Sequence, residues 1–192
     1  MKNMSLVVLI IFLFVSPILF ADQPVDVVKE YPKALGFQGG SISGTGLSYF
    51  RQLSDFSWQV TGGVLYLPLS QDSYGDILSY VVGFETHFPV YDETITNWLG
   101  GQLYLFLGLN HKGVIPTSIT GTGDAAVKVM GAYTPSVGIG GGIGIELILF
   151  QHFSIPLELG YGLTYSPTLG AGIADQLAVN LMPQAGFRYR YR

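Results

Sequence analysis

The sequence predicts an all-β chain that folds as an eight-stranded antiparallel up-and-down transmembrane β-barrel after an N-terminal signal peptide. Three observations support this prediction: an unusual scarcity of charge, strands with strict apolar alternation, and a single long apolar run at the start. The chain has 192 residues and is 48% hydrophobic, yet only 11% of its residues are charged. Soluble domains carry about 25% charged residues, so much of this surface is expected to face lipid.

The composition excludes several kinds of function. The chain contains no cysteine, which rules out disulfides, thiolate metal sites and a cysteine nucleophile. Its formal net charge is −4, and lysine and arginine form no run. Nucleic-acid binding is therefore not expected, because it depends on clustered positive charge.

The first apolar stretch has the features of a signal peptide. Residues 6–20 are almost all apolar, and Ala21 follows just before an acidic residue. This predicts a signal peptide over residues 1–21, cleaved after Ala21, with export through the Sec pathway. A retained membrane helix is the alternative, but the run is shorter than the ~20 residues of a helical span and contains Pro17.

Three strands near the C terminus show the alternation most clearly. In 136–150, large aliphatic residues alternate with glycine and serine, and 153–165 and 177–191 repeat the pattern. Side chains alternate between the two faces of a strand, so each strand has one large apolar face and one small or polar face. The apolar face is predicted to point outward.

Five earlier segments complete a set of eight strands. The segments 58–66, 80–88 and 99–109 alternate in the same sense, with some apolar residues on the polar face. Two weaker candidates, 34–40 and 47–52, precede them, and the pattern of the second does not decide which face is outward.

The connections alternate in length. Short turns are predicted at 53–55, 89–96 and 151–152, and longer loops at 69–75, 111–133 and 167–175; the first connection, 41–45, is also short. Outer-membrane barrels have an even number of strands, short periplasmic turns and longer outer loops. The predicted organisation is a short periplasmic segment at 22–33 and a transmembrane barrel at 34–192.

The soluble alternatives are a β-sandwich and a lipocalin-like barrel, in which the polar face meets water. Here the polar face is mostly glycine, serine and threonine with few charges. Such a face suits a crowded barrel interior better than a solvated surface.

The last strand carries a motif of its own. Gln184, Gly186, Tyr189 and Tyr191 follow the order polar, glycine, hydrophobic, hydrophobic of a C-terminal assembly signal. The chain thereby resembles the small eight-stranded outer-membrane β-barrel families, including the transmembrane domain of outer-membrane protein A and the outer-membrane protein W-like barrels. Such proteins often end in phenylalanine, whereas this chain ends in Arg192. The resemblance implies barrel-assembly machinery and periplasmic chaperones as partners during biogenesis, and outer-membrane lipid as the surrounding phase.

Five charged residues fall on the inward face and are predicted to form an interior ionic cluster: Glu85, Glu146, Glu158, Arg188 and Arg190. Neighbouring carboxylates are unfavourable without a cation, which the two guanidinium groups can provide through forked hydrogen bonds. An ionic plug that closes the lumen is the main interpretation, since eight strands leave little more than side-chain space. A gate or narrow ion path is the alternative.

Other candidate sites are weaker. His152, Ser154 and Glu158 together suggest the residue set of small lipid A deacylase barrels, but His152 falls in a predicted periplasmic turn, whereas a lipid-processing site is expected in the outer half of the barrel. Glu85 and His87 share a face, yet a metal site needs further ligands. We therefore predict no catalytic residue, no metal ligand and no cofactor.

The predicted function is that of a non-enzymatic integral barrel of the bacterial outer membrane, with a structural or surface-binding role through its outer loops. The loop at 111–133 is unusually apolar, and from Ala126 onward it keeps the alternation of the following strand. The main interpretation is a strand extension that projects above the membrane with its loop folded over the mouth, and the alternative is a contact for an extracellular ligand or an entry for a hydrophobic one. A narrow channel for small or apolar solutes and a lipid-modifying enzyme are the alternatives.

Overall fold

The computed structural model describes residues 27–67, 76–120, 127–167 and 172–192. The predicted signal peptide, residues 1–21, lies outside the described residues. A short helix α1 (Val27–Glu30) and a 3-10 turn (Ala174–Gln176) accompany nine strands: β1 (Lys33–Gly39), β2 (Gly46–Gln52), β3 (Ser57–Leu67), β4 (Ile77–Thr96), β5 (Leu99–Thr120), β6 (Val127–Met130), β7 (Thr134–Leu149), β8 (Phe153–Tyr165) and β9 (Leu177–Tyr191).

Eight of these strands close into a ring. Every pairing is antiparallel, and the order is β1-β2-β3-β4-β5-β7-β8-β9, with β9 returning to β1. Leu35 of β1 pairs with Tyr49 on one side and with Tyr189 of β9 on the other. The ninth strand, β6, pairs with the far end of β5 and lies outside the ring. The predicted eight-stranded antiparallel barrel is confirmed.

The large apolar side chains of the wall point outward. Ile139 on β7, Leu159 on β8 and Val179 on β9 are between half and three-quarters exposed, as are many of their counterparts around the ring. The strand whose orientation the sequence left open has Leu47 outside, 77% exposed, and Phe50 completely buried inside. The outer surface therefore carries a wide apolar belt, and polar residues lie inside. A soluble barrel has the opposite arrangement.

Two predicted connections are wrong. The predicted turn at 89–96 belongs to β4, which runs to Thr96, and the actual turn is at residues 97–98. Register shifts at Pro89/Tyr91 and Thr94/Thr96 let the β4–β5 ladder continue past the proline, which has no amide hydrogen to donate.

The predicted loop at 111–133 is largely strand as well. β5 extends to Thr120 and forms a hairpin with β6. A tilted strand crosses a bilayer in about 9–11 residues, and β5 has 22. The wall therefore extends well beyond the thickness of a membrane at this point.

The two ends of the barrel differ. The turn end carries the three turns between β2 and β3, β4 and β5, and β7 and β8, together with both ends of the described chain. Here Arg192 pairs with Glu30, and the Tyr31 ring lies 4.5 Å from the His152 ring. The loop end carries the remaining connections. Within the described ranges, no helix has the length and hydropathy of a membrane-spanning helix.

Candidate functional site in the barrel interior

The lumen near the turn end contains an ionic layer, defined by Glu146, Arg188, Arg190 and Phe50. All four side chains are fully buried. Arg190 Nη2 donates to Glu146 Oε1 at 2.9 Å, and Arg188 Nη1 lies 3.7 Å from the same oxygen. The guanidinium carbons of Arg188 and Arg190 lie 4.6 and 5.1 Å from the centre of the Phe50 ring. One carboxylate and one ring thus hold two cations, with cation–π attraction strengthened by the absence of water.

A second group of buried acids lies further inside. This carboxylate–histidine layer is formed by Glu85 and His87 of β4, Glu158 of β8 and Tyr104 of β5. His87 Nε2 lies 3.7 Å from Glu85 Oε1 and 3.8 Å from Glu158 Oε1. The rings of His87 and Tyr104 stack with centroids 4.6 Å apart. Three strands contribute to this layer, so it spans the lumen.

Neutral donors hold Glu158 in place. Tyr104 Oη donates to its Oε1 at 2.7 Å, and Gln38 and Gln184 donate to its Oε2 at 2.9 and 3.0 Å. In the part of the chain that the structure describes, by contrast, neither oxygen of Glu85 and neither ring nitrogen of His87 has a hydrogen-bond partner. Buried polar groups are rarely left this way, because desolvation without a partner is costly.

The connection between β1 and β2 folds inward and forms a plug, residues 40–45. Ile42 and Ser43 are almost completely buried. Gln184 Oε1 accepts hydrogen bonds from the backbone amides of both, at 2.9 and 2.8 Å. Asn110 Nδ2 donates to the carbonyls of Ser41 and Ile42 at 2.6 and 2.9 Å. The plug is therefore fixed to β5 and β9 through its own backbone.

Glycines on the inner wall make room for the plug. A Cβ atom at Gly83 would lie 2.0 Å from the carbonyl oxygen of Ser43, and one at Gly108 would lie 2.7 Å from Ile42 Cγ2. Gly144 has the same function for Tyr104, whose ring would lie 2.3 Å from an added Cβ. The small inner face predicted from the sequence is thus the space that the plug and the Tyr104 ring occupy.

Beyond the plug, the loop end opens into a vestibule with a volume of about 800 Å³. Small polar residues and one lysine line its walls, among them Ser79, Asn110, Lys112, Ser136, Thr164 and Asn180. The plug residues Ser41 and Gly44 form part of its lining. Apolar side chains, among them Val81 and Met182, line the rest of the vestibule, so it is a cup of mixed polarity with the plug at its floor.

A small cluster stabilises the base of the β5–β6 hairpin. The Tyr80 hydroxyl lies 2.6 Å from the Tyr133 hydroxyl and 2.9 Å from His111 Nε2. The two tyrosine rings stack at an interplanar angle of 6°. Gly113 leaves room for both rings, since an added Cβ would lie 2.4 Å from Tyr80. The cluster ties β4 and β5 to the segment before β7.

The five residues predicted as an interior ionic cluster are all buried, but the structure divides them. Glu146, Arg188 and Arg190 form the ionic layer, while Glu85 and Glu158 belong to the carboxylate–histidine layer. Cross-strand pairing explains the division, because Glu146 faces Pro156 and Glu158 faces Gly144 on the neighbouring strand. The two acids are diagonal neighbours with different partners.

The predicted assembly signal divides between the two faces of β9. Gln184 and Gly186 face the lumen, and Tyr189 is about half exposed on the outside. Tyr191 lies outside at the turn end, where Lys33 Nζ is 6.0 Å from its ring centre. Gln184 also joins the plug to Glu158, a structural contact that the motif did not predict.

The candidate deacylase set is not assembled. His152 Nδ1 lies 3.1 Å from the Arg190 carbonyl oxygen, and its ring stacks on Tyr189. Ser154 and Glu158 are buried in the lumen, and no hydrogen bond joins either to His152 among the described residues.

The plug and the neutral donors were missed by the sequence analysis. Residues 40–45 have no periodic pattern and look like an ordinary short connection. The one indication in the sequence is the run of inward-facing glycines. Their lack of side chains leaves space in the lumen that another part of the chain must occupy. Parity places Tyr104 on the polar face of its segment, but parity does not reveal what a side chain contacts across a barrel.

No family model matches the sequence, and no curated protein matches it. Similar solved structures do exist. The N-terminal β-barrel domain of Pseudomonas aeruginosa OprF is 13% identical with a TM-score of 0.44, over 83% of this chain and 96% of that one. Ail, the attachment invasion locus protein of Yersinia pestis, is 16% identical with the same TM-score and the same coverage. Acinetobacter baumannii CarO is 10% identical with a TM-score of 0.40, over 84% and 98%.

These neighbours are small eight-stranded outer-membrane β-barrels, the class that the sequence itself resembles. At such identities and TM-scores, no residue of this chain acquires a role from them.

Proposed function

We propose that this protein is an integral barrel of the bacterial outer membrane with a closed lumen, which acts as a non-enzymatic structural or surface-binding element through its loop end. The observation that carries the proposal is the combination of a lipid-suited outer belt with an interior filled at three successive levels. Those levels are the ionic layer, the carboxylate–histidine layer and the plug.

The outer belt supports a membrane location. Leu107, Ile139 and Val179 are each more than 60% exposed, on three different strands of the ring. Burial of apolar surface stabilises by roughly 25 cal/mol per Å², so exposing a continuous belt of this kind to water would oppose folding. In a bilayer the same belt is solvated by acyl chains, and the closed ring leaves no unpaired strand edge in lipid.

The filled lumen favours a structural or binding role over conduction. Arg188, Arg190, Phe50 and Tyr104 are completely or almost completely buried across the interior. Each is held by charge, stacking or hydrogen bonds, so solutes have no continuous path. Conduction through the lumen would require both the ionic groups and the plug to move.

Surface binding is best supported at the loop end. The vestibule is large enough for a small ligand, and sites of this kind have volumes of about 300–1,000 Å³. The β5–β6 hairpin stands beside it and carries exposed Val127, Val129 and Met130. The hairpin is thus a candidate contact for an extracellular partner, within the segment 111–133.

Cell fractionation with surface proteolysis tests location and orientation together. Full-length protein should fractionate with outer membranes, and protease added to intact cells should cut only at loop-end connections. A site introduced in the β2–β3 turn, residues 53–56, should be protected in intact cells and cut after lysis. Cleavage there in intact cells would reverse the orientation, and a soluble folded monomer would overturn the proposal.

Planar-bilayer recordings test the closed lumen. The purified wild-type barrel should show no stable opening at moderate voltage. A steady conductance in the wild-type protein would favour the channel hypothesis. Mass spectrometry of lipid A from cells with and without the protein addresses the enzymatic alternative, and identical lipid profiles are expected.

A further inference from the structure

We infer that Glu85, His87 and Glu158 form a divalent transition-metal site, of Zn²⁺ type, that links β4 to β8 across the lumen. This inference concerns the carboxylate–histidine layer and does not depend on what the loop end binds. The sequence predicts no metal ligand at these positions, because only two of the three donors are close along the chain.

The donor geometry supports the inference. One ligand atom from each of Glu85, His87 and Glu158 can be chosen so that all three lie within 4.8 Å of one another. Imidazole nitrogen and carboxylate oxygen are both ligands of zinc, which binds them at about 2.0–2.2 Å. Three protein donors also leave a fourth coordination position for water.

The unpartnered atoms are the second, independent observation. Within the described ranges, both oxygens of Glu85 and both nitrogens of His87 lack hydrogen-bond partners although both side chains are completely buried; the nitrogens of the Arg188 guanidinium also lack them. Glu85 and His87 are two residues apart on one strand, so they project from the same inner face. A cation between them and Glu158 would satisfy the atoms that the protein leaves without partners.

The charges are also complementary. Among the described residues no guanidinium group lies within ion-pair distance of Glu85 or Glu158; Arg188 and Arg190 are close enough only to Glu146, although the charge of Arg188 also acts on the other two acids. A divalent ion would balance the two remaining carboxylates. Buried charges in proteins are generally paired or bound to metal.

The surroundings hold the donors in place. Tyr104 and two glutamines fix the Glu158 carboxylate by hydrogen bonds, and Tyr104 also stacks on His87. Groups of this kind orient metal ligands and raise affinity. The plug covers the layer on one side and the ionic layer on the other, so the ion is expected to enter during folding.

Metal content of the folded barrel tests the inference. Untagged barrel would be unfolded with chelator, refolded in detergent with CoCl₂ or ZnCl₂, desalted, and assayed by mass spectrometry of metals and by Co²⁺ visible absorption. About one ion per chain is expected. His87→Gln and Glu85→Gln should each lower bound metal at least about tenfold.

The other two histidines provide matched controls. His111→Gln and His152→Gln should retain the wild-type stoichiometry, since both lie outside the layer. Fold is checked for every variant by its gel shift on heating, so a misfolded variant is not mistaken for a lost ligand. Wild-type barrel that refolds fully but retains less than about a tenth of an ion per chain would overturn the inference. Metal binding that survives His87→Gln would overturn it as well.

Discussion

The two halves of the lumen are filled in different ways. The turn-end half is filled by wall side chains of opposite charge, with Glu146 and Phe50 holding two arginines. The loop-end half is filled by the backbone of the plug, residues 40–45, against a wall of glycines, and then opens into the vestibule. The first half depends on electrostatic pairing, whereas the second depends on close steric fit, so different substitutions should disrupt each.

The largest expected effect is on the ionic layer. Arg190→Met should lower the free energy of unfolding by about 3–5 kcal/mol, because it removes the cation that donates a hydrogen bond to the buried Glu146 carboxylate. Urea titration of the barrel in detergent or lipid measures the change. Arg192→Met is the control, since its ion pair with Glu30 is exposed and should matter little. If both variants lose the same free energy of unfolding, the buried ion pair is no more important for stability than the exposed one.

The steric fit of the plug is tested at Gly83. Gly83→Ala should cost about 1–3 kcal/mol, because the new methyl group would overlap the Ser43 carbonyl oxygen and displace the plug backbone. Gly62→Ala is the matched control, with no atom within 4 Å of the added Cβ. If both variants unfold at the same urea concentration as the wild type, the plug does not occupy the lumen in solution.

The aromatic component of the turn-end half is tested at Phe50. Phe50→Leu should lower the free energy of unfolding by about 1–2 kcal/mol, through lost cation–π attraction and packing against both guanidinium groups. Phe37→Leu is the control, because Phe37 is 52% exposed on the outer face and leucine suits that apolar surface equally well. A larger loss at Phe37 than at Phe50 would contradict the assignment of faces on β1 and β2.

The smallest effect is expected at the hairpin base. Tyr133→Phe should speed amide hydrogen exchange in the β5–β6 hairpin and leave the ring strands unchanged, because the lost hydroxyl bonds to Tyr80 and His111 at the hairpin base. The hydrogen bond to Tyr80 raises the pKa of Tyr133 above its usual value of 10.0. The contribution of this hydrogen bond to the stability of the folded state is therefore present at neutral pH, and it is lost as pH rises through the raised pKa of Tyr133.

Tyr161→Phe is the control for the hairpin, since Tyr161 is 67% exposed on the outer wall. Slower exchange in Tyr133→Phe, or faster exchange across the whole barrel, would show that the cluster does not act locally.

The sequence predicted the wall better than the contents of the lumen. Alternation places one face of β7, β8 and β9 in lipid, and those faces are as predicted because period-two patterning is a local property. The outward face of β2 could not be predicted, because Tyr49 and Phe50 are adjacent and both aromatic, so each face of the strand carries a large ring. Pro156 has no amide hydrogen to donate, and the β8–β9 ladder has no pairs at residues 155–156 while keeping its register.

The interior depends on contacts between distant parts of the chain. Parity alone places Glu85 and Glu158 inside, but only ring closure brings β4 and β8 within reach of each other. The plug was hidden for the same reason, since nothing within residues 40–45 indicates the glycines at 83 and 108 that receive it. The predicted turn at 89–96 was wrong because a bulge carries β4 past Pro89, and bulges depend on the partner strand.

The position of the plug along the chain has a consequence for folding. The plug follows the first strand, yet the amide group that fastens it belongs to the last strand, 142 residues away from Ile42. Contacts of such long sequence separation form slowly, because the intervening chain must be ordered before they are made. Closure of the lumen by the plug is thus coupled to the pairing of the first and last strands. If folding stopped before that step, the centre of the barrel would still contain water.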